Sequence, residues 1–158
     1  MASFGQFTKV ALVALGVAAL GTAVVAQDKT ALVKDRQAFM KALGADNKAI
    51  SDYAKGMGSK DAAMKAIADM QAKNAKMSAL FVAGTSSTDL PGVSYAKPSI
   101  WTEKAKFDAI IGDLKTAEAA TAEAIKSGTP DAVAAASVPI GRTGCGACHT
   151  TYREKLPS

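Results

Sequence analysis

The sequence predicts an all-α protein, an antiparallel four-helix bundle with one long connection between its second and third helices. Three observations predict this fold. Alanine is abundant whereas aromatic residues make up only 6% of the chain, and such a composition favours helix. Apolar residues recur with a helical period. Glycine, proline and serine gather in a few short stretches, where the chain is expected to turn.

The first two predicted helices are separated by a short glycine-containing turn. The first runs from about Lys29 to Ser51, with Asp28 as its N-cap. Residues 56–58 contain two glycines and end it. The second begins after Ser59, a good N-cap, and runs to about Val82. One face of the first helix carries its apolar side chains at helical spacing: Leu32, Val33, Phe39, Met40 and Leu43.

The last two predicted helices follow a long irregular stretch. Residues 84–99 are rich in Gly, Pro and Ser and form one long connection. The third helix runs from about Ser99 to Gly128. Thr129 then caps the fourth, which runs from Pro130 to about Lys155. Pro139 lies inside this last helix and is expected to kink it, because proline has no backbone N–H to donate.

The first 26 residues are predicted to be a secretory signal peptide. Lys9 supplies a positive start, an apolar stretch follows, and residues 24–26 form a small-residue cleavage site. A retained membrane anchor is the alternative, but the apolar stretch is shorter than the roughly 20 residues that span a bilayer. We therefore expect an exported protein without stable membrane insertion, whose residues 27–158 form one domain.

The charge of the chain gives little support for nucleic-acid binding. The formal net charge is +5, and without Lys9 there are 18 basic and 14 acidic residues. The basic residues alternate with acidic ones along the helices and form no run of like charge. A mild positive charge still favours docking to an acidic partner protein.

The strongest motif lies near the end of the sequence. In "GRTGCGACHTTYREK" the two cysteines, Cys145 and Cys148, precede the single histidine, His149. On a helix these three side chains share one face. Two thiols at this spacing can form thioethers with the vinyl groups of a haem, and the adjacent imidazole can ligate its iron. The C-x-x-C-H string therefore predicts one covalently bound haem c.

Other uses of these residues are weaker. A thioredoxin-like C-x-x-C site belongs to a βαβ setting, and no β pattern is evident. A structural zinc site needs four ligands, whereas this motif supplies three. A disulfide between the two cysteines would close only a very small loop. A chance motif with a merely packed histidine is the remaining alternative. Small neighbours such as Gly144 and Gly146 leave room for a porphyrin, or are ordinary helix-weakening glycines.

Three stretches of the chain resemble class II c-type cytochromes, the cytochrome c prime family. "PIGRTGCGACHTTYREK" resembles the last helix of the family, including Tyr152 three residues after the histidine. "KPSIWTEKAKFDAIIGDL" resembles its third helix, and "VKDRQAFMKALGADNKAI" resembles its first. The resemblance implies a four-helix bundle that carries its haem on the last helix.

The resemblance also implies a role for two residues of the first helix. Met40 occupies the position that reaches over the distal haem face, where it either ligates the iron, as in the low-spin six-coordinate subgroup, or packs as an apolar cap. Arg36, one turn earlier, is expected to pair with a haem propionate, and a solvated arginine is the alternative. We expect His149 and Met40 to be the two iron ligands.

Four further residues have expected places near the motif or in the core. Arg142 is expected to be exposed. Trp101 and Phe107 pack either on the haem edge or in the core. Tyr152 is expected to pack near the His149 imidazole, and its hydroxyl would need a partner if buried.

The sequence thus predicts a periplasmic monohaem cytochrome that carries single electrons between redox partner proteins and turns over no substrate. A five-coordinate protein that binds NO or CO is the alternative. A haem-free helical module is the second alternative. A homodimer through the exposed faces of the first two helices is a further possibility that the resemblance raises.

Overall fold

Helices make up most of residues 28–156, the part of the chain that the computed structural model describes. A 3-10 turn, Ser78–Leu80, follows the second helix, and a π-helix, Ile140–Gly146, joins the last two. We call this π-helix the π segment. The α-helices are α1 (Lys29–Ala54), α2 (Lys60–Met77), α3 (Ser99–Thr102), α4 (Lys104–Ser127), α5 (Pro130–Pro139) and α6 (Ala147–Tyr152).

The predicted helix starts are confirmed by their capping hydrogen bonds. Asp28 accepts a hydrogen bond from the Thr30 amide at 2.9 Å, and Ser59 accepts one from the Ala62 amide at 3.1 Å. Each bond satisfies an amide that the first turn of a helix leaves unpaired. Gly56 has φ +73°, a conformation that favours glycine, and this turn separates α1 from α2.

The helices form the predicted four-helix bundle. α1 packs against α2 and α5, and α4 packs against the same two helices, so the four long elements close a ring. Their apolar faces meet in one core that includes Ile50, Ile67, Met70, Leu114 and Ile125. The short turns after α1 and α4 make each joined pair antiparallel.

Two predicted helices are interrupted. The third is broken at Glu103, whose backbone (φ −115°, ψ 35°) is not helical and separates α3 from α4. The fourth changes character after Pro139, where α5 gives way to the π segment and then to α6. Proline cannot donate the backbone hydrogen bond of a regular turn, so the change begins where the sequence predicted a disturbance.

The long connection between α2 and α3 is anchored to the end of the bundle. Ala96 and Arg153 form an isolated antiparallel bridge. The Lys97 amide donates to the Tyr152 carbonyl at 2.9 Å, and the Glu154 amide donates to the Tyr95 carbonyl at 2.8 Å. We call these two hydrogen bonds the clasp. They join the irregular stretch to the segment that follows α6.

The predicted signal peptide, residues 1–26, lies outside the described residues. Across residues 28–156, none of the helices combines the length and the apolar character that a membrane crossing requires.

Candidate functional site: a cavity at the C-x-x-C-H motif

A cavity of about 570 Å³ lies inside one part of the bundle, and its lining is mostly apolar. Residues of α1, α2, α4, the long connection, the π segment and α6 contribute to the wall. The aliphatic and thioether side chains of this wall are Met40, Leu43, Met70, Met77, Ala96, Ile100, Ile110, Ile111, Leu114 and Leu156. The cavity is large enough and apolar enough to hold a sizeable organic group.

The whole C-x-x-C-H motif borders this cavity. Cys145 lies in the π segment, whereas Cys148 and His149 lie on α6, and all three line the wall. Each is half-buried, and neither cysteine is in a disulfide. Across residues 28–156, no three His, Cys, Asp or Glu side chains gather as ligands for a bare metal ion. The position of all three residues at a mostly apolar cavity favours haem attachment.

Two glycines of the motif region, Gly144 and Gly146, are in close contact with neighbouring protein atoms. A Cβ on Gly144 would lie 2.7 Å from Leu114 Cδ1 and 3.1 Å from Leu114 Cβ. A Cβ on Gly146 would lie 2.7 Å from the carbonyl oxygen of Gly141. The missing side chain of Gly144 therefore lets α4 approach the π segment. Gly144 also lines the cavity, and the expectation that these glycines leave room for a porphyrin stays a prediction.

Burial alters the acid–base properties of the motif. Burial, with a smaller contribution from Cys145, raises the pKa of the Cys148 thiol to about 11. Burial also raises the pKa of Cys145. Burial, assisted by Arg153, lowers the pKa of His149, so the imidazole is neutral near pH 7. A neutral imidazole is the form that ligates a metal.

Arg36 is buried at the cavity wall, and no carboxylate of residues 28–156 pairs with it. Only 5% of the residue is exposed. Its guanidinium donates to Thr85 Oγ1, the Thr85 carbonyl and Ser94 Oγ, each at 3.0 Å. It also lies 4.9 Å from the centre of the Phe81 ring. The alternative of a solvated arginine is wrong. A buried cation with only neutral partners favours an anion in the adjoining cavity.

Met40 also lines the cavity, as predicted. It is half-buried and packs against the main apolar core, with Leu43 on the same face of α1. Met70 and Met77 reach the same cavity from α2. Three methionine side chains are therefore available to the cavity, and Met40 is the one on α1.

The aromatic residues near the motif are placed as packing groups. Trp101 donates its indole N–H to the Phe81 carbonyl at 3.0 Å. Phe107 is fully buried and stacks edge-to-face with Tyr152, with centroids 5.5 Å apart. The Tyr152 hydroxyl donates to Glu103 Oε2 at 3.2 Å, which supplies the partner that its burial requires. Neither Trp101 nor Phe107 borders the cavity. Arg142 is exposed, as expected.

Comparison with known proteins identifies the family. The sequence model described as "Cytochrome C'" matches residues 31–153. The chain belongs to the cytochrome c′ family. Proteins of this family hold haem c, and the pair Cys145 and Cys148 is consistent with its attachment through a C-x-x-C-H motif.

The relatives cover nearly the same length as this chain. A cytochrome c′ of Rhodopseudomonas palustris is 32% identical over 143 residues, which are 89% of this chain and 92% of the relative. A cytochrome c-556 of the same organism is 36% identical over 139 residues, 85% of this chain and 89% of the relative. A solved cytochrome c′ from Rhodobacter spheroides is 28% identical with a TM-score of 0.74, and the match covers 82% of this chain and 99% of that one.

The cavity fits haem c on three independent grounds. Its walls are mostly apolar, as a porphyrin requires. The thiols of Cys145 and Cys148 and the neutral imidazole of His149 border it from the π segment and α6. Arg36 supplies a buried positive charge that the carboxylates of a haem would neutralise.

Proposed function

We propose that the protein is a haem c cytochrome whose cavity admits a small uncharged ligand such as NO or CO. Cys145 and Cys148 would hold the haem by thioether bonds, and His149 would be its axial ligand. A haem held there supplies an iron that exchanges one electron and accepts a diatomic ligand at its free face. Met40 would border that face as an apolar cap.

The observation that carries this proposal is the chemistry of the α1 wall. Met40 and Leu43 present a thioether and an aliphatic side chain to the cavity, and both pack against the main core. Burying an ion in such surroundings is costly, whereas a neutral diatomic molecule keeps little hydration to lose. The part of the α1 wall formed by Met40 and Leu43 would therefore disfavour charged and hydrated ligands beside it and accept neutral gases, whereas Arg36 of the same helix would face the carboxylates of the haem.

Solved proteins of the same fold give this proposal further support. A cytochrome c prime from Alcaligenes xylosoxidans, 23% identical to this chain with a TM-score of 0.70, is described as a nitric oxide complex of a variant. Another variant of that protein is described with carbon monoxide bound. Those ligands belong to that protein, and we extend them to this chain as part of the proposal.

The Arg36 guanidinium would bind the carboxylates of the haem. The guanidinium is already fixed by Thr85 and Ser94, so little side-chain entropy remains to be lost when an anion arrives. This fixed cation would set the orientation of the haem plane relative to α1, and the thioethers would set it relative to α6.

A CO titration of the ferrous protein tests the proposal. We expect CO to bind and to shift the Soret band. Met40→Leu, which keeps the side-chain volume but removes the sulfur, should leave a CO complex in place. Met70→Leu is the matched control, because Met70 borders the same cavity from α2. A ferrous spectrum that is low-spin and indifferent to CO in the parent, but CO-sensitive in Met40→Leu alone, would refute the proposal.

The second candidate is a six-coordinate electron carrier with His149 and Met40 as the two iron ligands. It is favoured by the presence of the Met40 side chain at the cavity wall. A neutral thioether ligand stabilises ferrous iron and raises the potential. The CO titration separates the two candidates, since a protein ligated on both sides has no free position.

We further infer that the protein works in the periplasm, exchanges electrons with partner proteins and turns over no substrate. The signal-like residues 1–26 support export, and the excess of basic residues favours acidic partners. We also propose a homodimer through the exposed faces of α1 and α2, which the resemblance to the cytochrome c prime family suggests. A relative of the same fold, 24% identical, is described by an unusual ligand-controlled dimer dissociation. Sedimentation of the purified protein tests the dimer.

A further inference from the structure

A buried acid–amide pair joins α2 and α4. Glu118 has no exposed surface and Asn74 is 4% exposed. Asn74 Nδ2 donates to Glu118 Oε2 at 3.1 Å and to the Ile111 carbonyl at 3.4 Å. Among the described residues, Asn74 Oδ1 and Glu118 Oε1 are both buried without any hydrogen-bond partner.

The two unpaired oxygens point to a missing proton donor. An ionised Glu118 leaves both of these oxygens as acceptors, and each unpaired buried acceptor costs about 1–3 kcal/mol. One proton on Glu118 Oε1 turns that atom into a donor whose natural acceptor is Asn74 Oδ1. The pair then makes two hydrogen bonds, as a carboxylic acid and an amide do when they face each other. Burial accordingly raises the pKa of Glu118 above its ordinary value.

The pair lies directly behind the wall of the haem cavity. Asn74 is four residues after Met70 and three before Met77, so it shares a helix face with two side chains that line the cavity. Glu118 is one turn beyond Leu114, another lining residue. Burial is the main cause that raises the pKa of the Cys145 thiol, and a negative Glu118 contributes to it in the same direction.

No buried cation offsets the charge of Glu118 within the described residues. From α2, the neighbour of Asn74 is Lys73, which is paired with Asp46 of α1 at 2.7 Å. From the π segment the facing titratable group is Cys145, which loses its proton permanently once it forms a thioether. On α4 itself, Lys115 is exposed and lowers the pKa of Glu118 only as a secondary effect.

The remaining helices against α4 contribute little. α3 carries no titratable side chain. The only charged residue of α5 is Asp131, which is exposed in its first turn. On α6, His149 is kept neutral by burial, and Tyr152 is hydrogen-bonded to Glu103 rather than to Glu118.

We propose that Glu118, paired with Asn74, is a proton-binding site coupled to the haem, so that reduction of the protein is accompanied by proton uptake. This inference rests on the haem site and not on the sixth iron ligand. When a one-electron donor reduces ferric to ferrous iron, the positive charge in the cavity falls by one. An ionised Glu118 carboxylate then gains one proton from solvent at Oε1, and the charge lost inside the bundle is restored.

The sign of the effect follows from Coulomb attraction. A negative Glu118 stabilises ferric iron and lowers the midpoint potential, whereas a neutral Glu118 does not. The potential should therefore fall as the pH rises between the Glu118 pKa of the ferric protein and that of the ferrous protein. The limiting slope is a tenfold change in the redox equilibrium constant per pH unit, which is about 59 mV for one electron.

Potentiometric titration of the full haem-loaded protein across a pH series tests the proposal. Glu118→Gln keeps the shape and the hydrogen bonds of the neutral acid, so the part of the pH-dependent fall in potential that Glu118 causes in the parent should be absent from this variant. Glu123→Gln is the matched control, because Glu123 is exposed on the same helix and paired with Lys126 at 2.7 Å. Its pH slope should equal that of the parent. The haem carboxylates titrate in all three proteins, so the difference isolates Glu118.

Infrared difference spectra provide a second readout that needs no variant. Reduction of the parent should increase the absorption of a protonated carboxylic acid C=O group, and Glu118→Gln should abolish that signal. An unchanged pH slope in Glu118→Gln, or no carboxylic acid signal on reduction of the parent at any pH, would overturn the proposal. The CO titration reports only on the sixth ligand, so the failure of one proposal is distinguishable from that of the other.

Discussion

The two walls of the haem cavity differ in how their chemistry is specified. On the wall formed by the π segment and α6, three adjacent reactive side chains, Cys145, Cys148 and His149, are set in place by their spacing along one chain. On the α1 wall, Arg36 and Met40 acquire their roles from distant contacts, since Arg36 is held by residues 49 and 58 positions away. The chemistry of the first wall follows from a local sequence motif, whereas the chemistry of the second wall depends on tertiary contacts.

This difference has a functional meaning. The motif fixes which cofactor is bound, and every cytochrome with the motif shares that outcome. In the proposed function the α1 wall would decide what the cofactor does, because it would surround the iron on the side away from His149 and supply the charge beside the haem carboxylates. Variants on the two walls should accordingly change different properties.

The largest effect is expected from removing both thiols. Cys145→Ser with Cys148→Ser abolishes both thioethers, so no haem should remain covalently attached. Intact mass under denaturing conditions measures this directly. Each single variant is the control and should retain haem through its remaining sulfur. Covalent haem in the double variant would mean that the motif does not specify attachment.

A smaller effect is expected from Arg36 on the opposite wall. Arg36→Met should lower the stability of the holoprotein by about 2 kcal/mol, because hydrogen bonds to a charged group are lost. It should also lower the midpoint potential, since a buried cation disfavours ferric iron. Arg142→Met is the control, because Arg142 is exposed on the π segment. Chemical denaturation and redox titration give both quantities. Equal effects of the two variants would contradict a special role for Arg36.

Gly144 tests how tightly the motif wall is packed against α4. Gly144→Ala places a methyl group 2.7 Å from Leu114 Cδ1 and should cost about 1–3 kcal/mol of stability. Gly141→Ala lies in the same π segment with open space around its Cβ, so the substitution should be neutral or slightly stabilising. Thermal unfolding of both holoproteins compares them. If Gly144→Ala is no worse than Gly141→Ala, the close approach of α4 is not required.

The smallest effect is expected in the long connection beside α1. Two hydrogen bonds, from the Ser86 hydroxyl and amide, lower the pKa of Asp89. Its stabilising contribution is therefore complete above the ordinary aspartic acid pKa and is lost as the pH falls through the lowered value. Asp89→Asn should flatten this part of the acid unfolding profile. An unchanged profile would show that the Ser86–Asp89 hydrogen bonds do not stabilise the connection.

The sequence predicted the bundle and the motif wall well, because both follow from local rules. Asp28 and Ser59 cap helices through their own neighbours, and the cysteines and histidine share a face by spacing alone. The break at Glu103 was missed, and so was the hydrogen bond that the Glu103 carboxylate accepts from Tyr152, 49 residues away, because a contact between distant residues is not readable from local sequence. The position of Met40 at the cavity was predicted, whereas its bond to iron stays a prediction.

Glu118 was missed although a signal was present. Leu114 and Thr121 are seven residues apart on the buried face of α4, and Glu118 occupies the position between them on the same face. A carboxylate in such a gap suggests a buried partner, but periodicity names only the face. Asn74 lies on another helix, so the pairing required the structure.

The clasp between the long connection and the end of α6 provides two amides whose hydrogen exchange reports local opening of the structure. The amides of Lys97 and Glu154 are locked on either side of one bridge, and Tyr95 and Ala96 within that bridge border the cavity. Any opening wide enough to expose the interior along this seam must release both protons to solvent together. The two amides should therefore exchange with deuterium at similar rates, and both rates should fall when a bound group occupies the cavity.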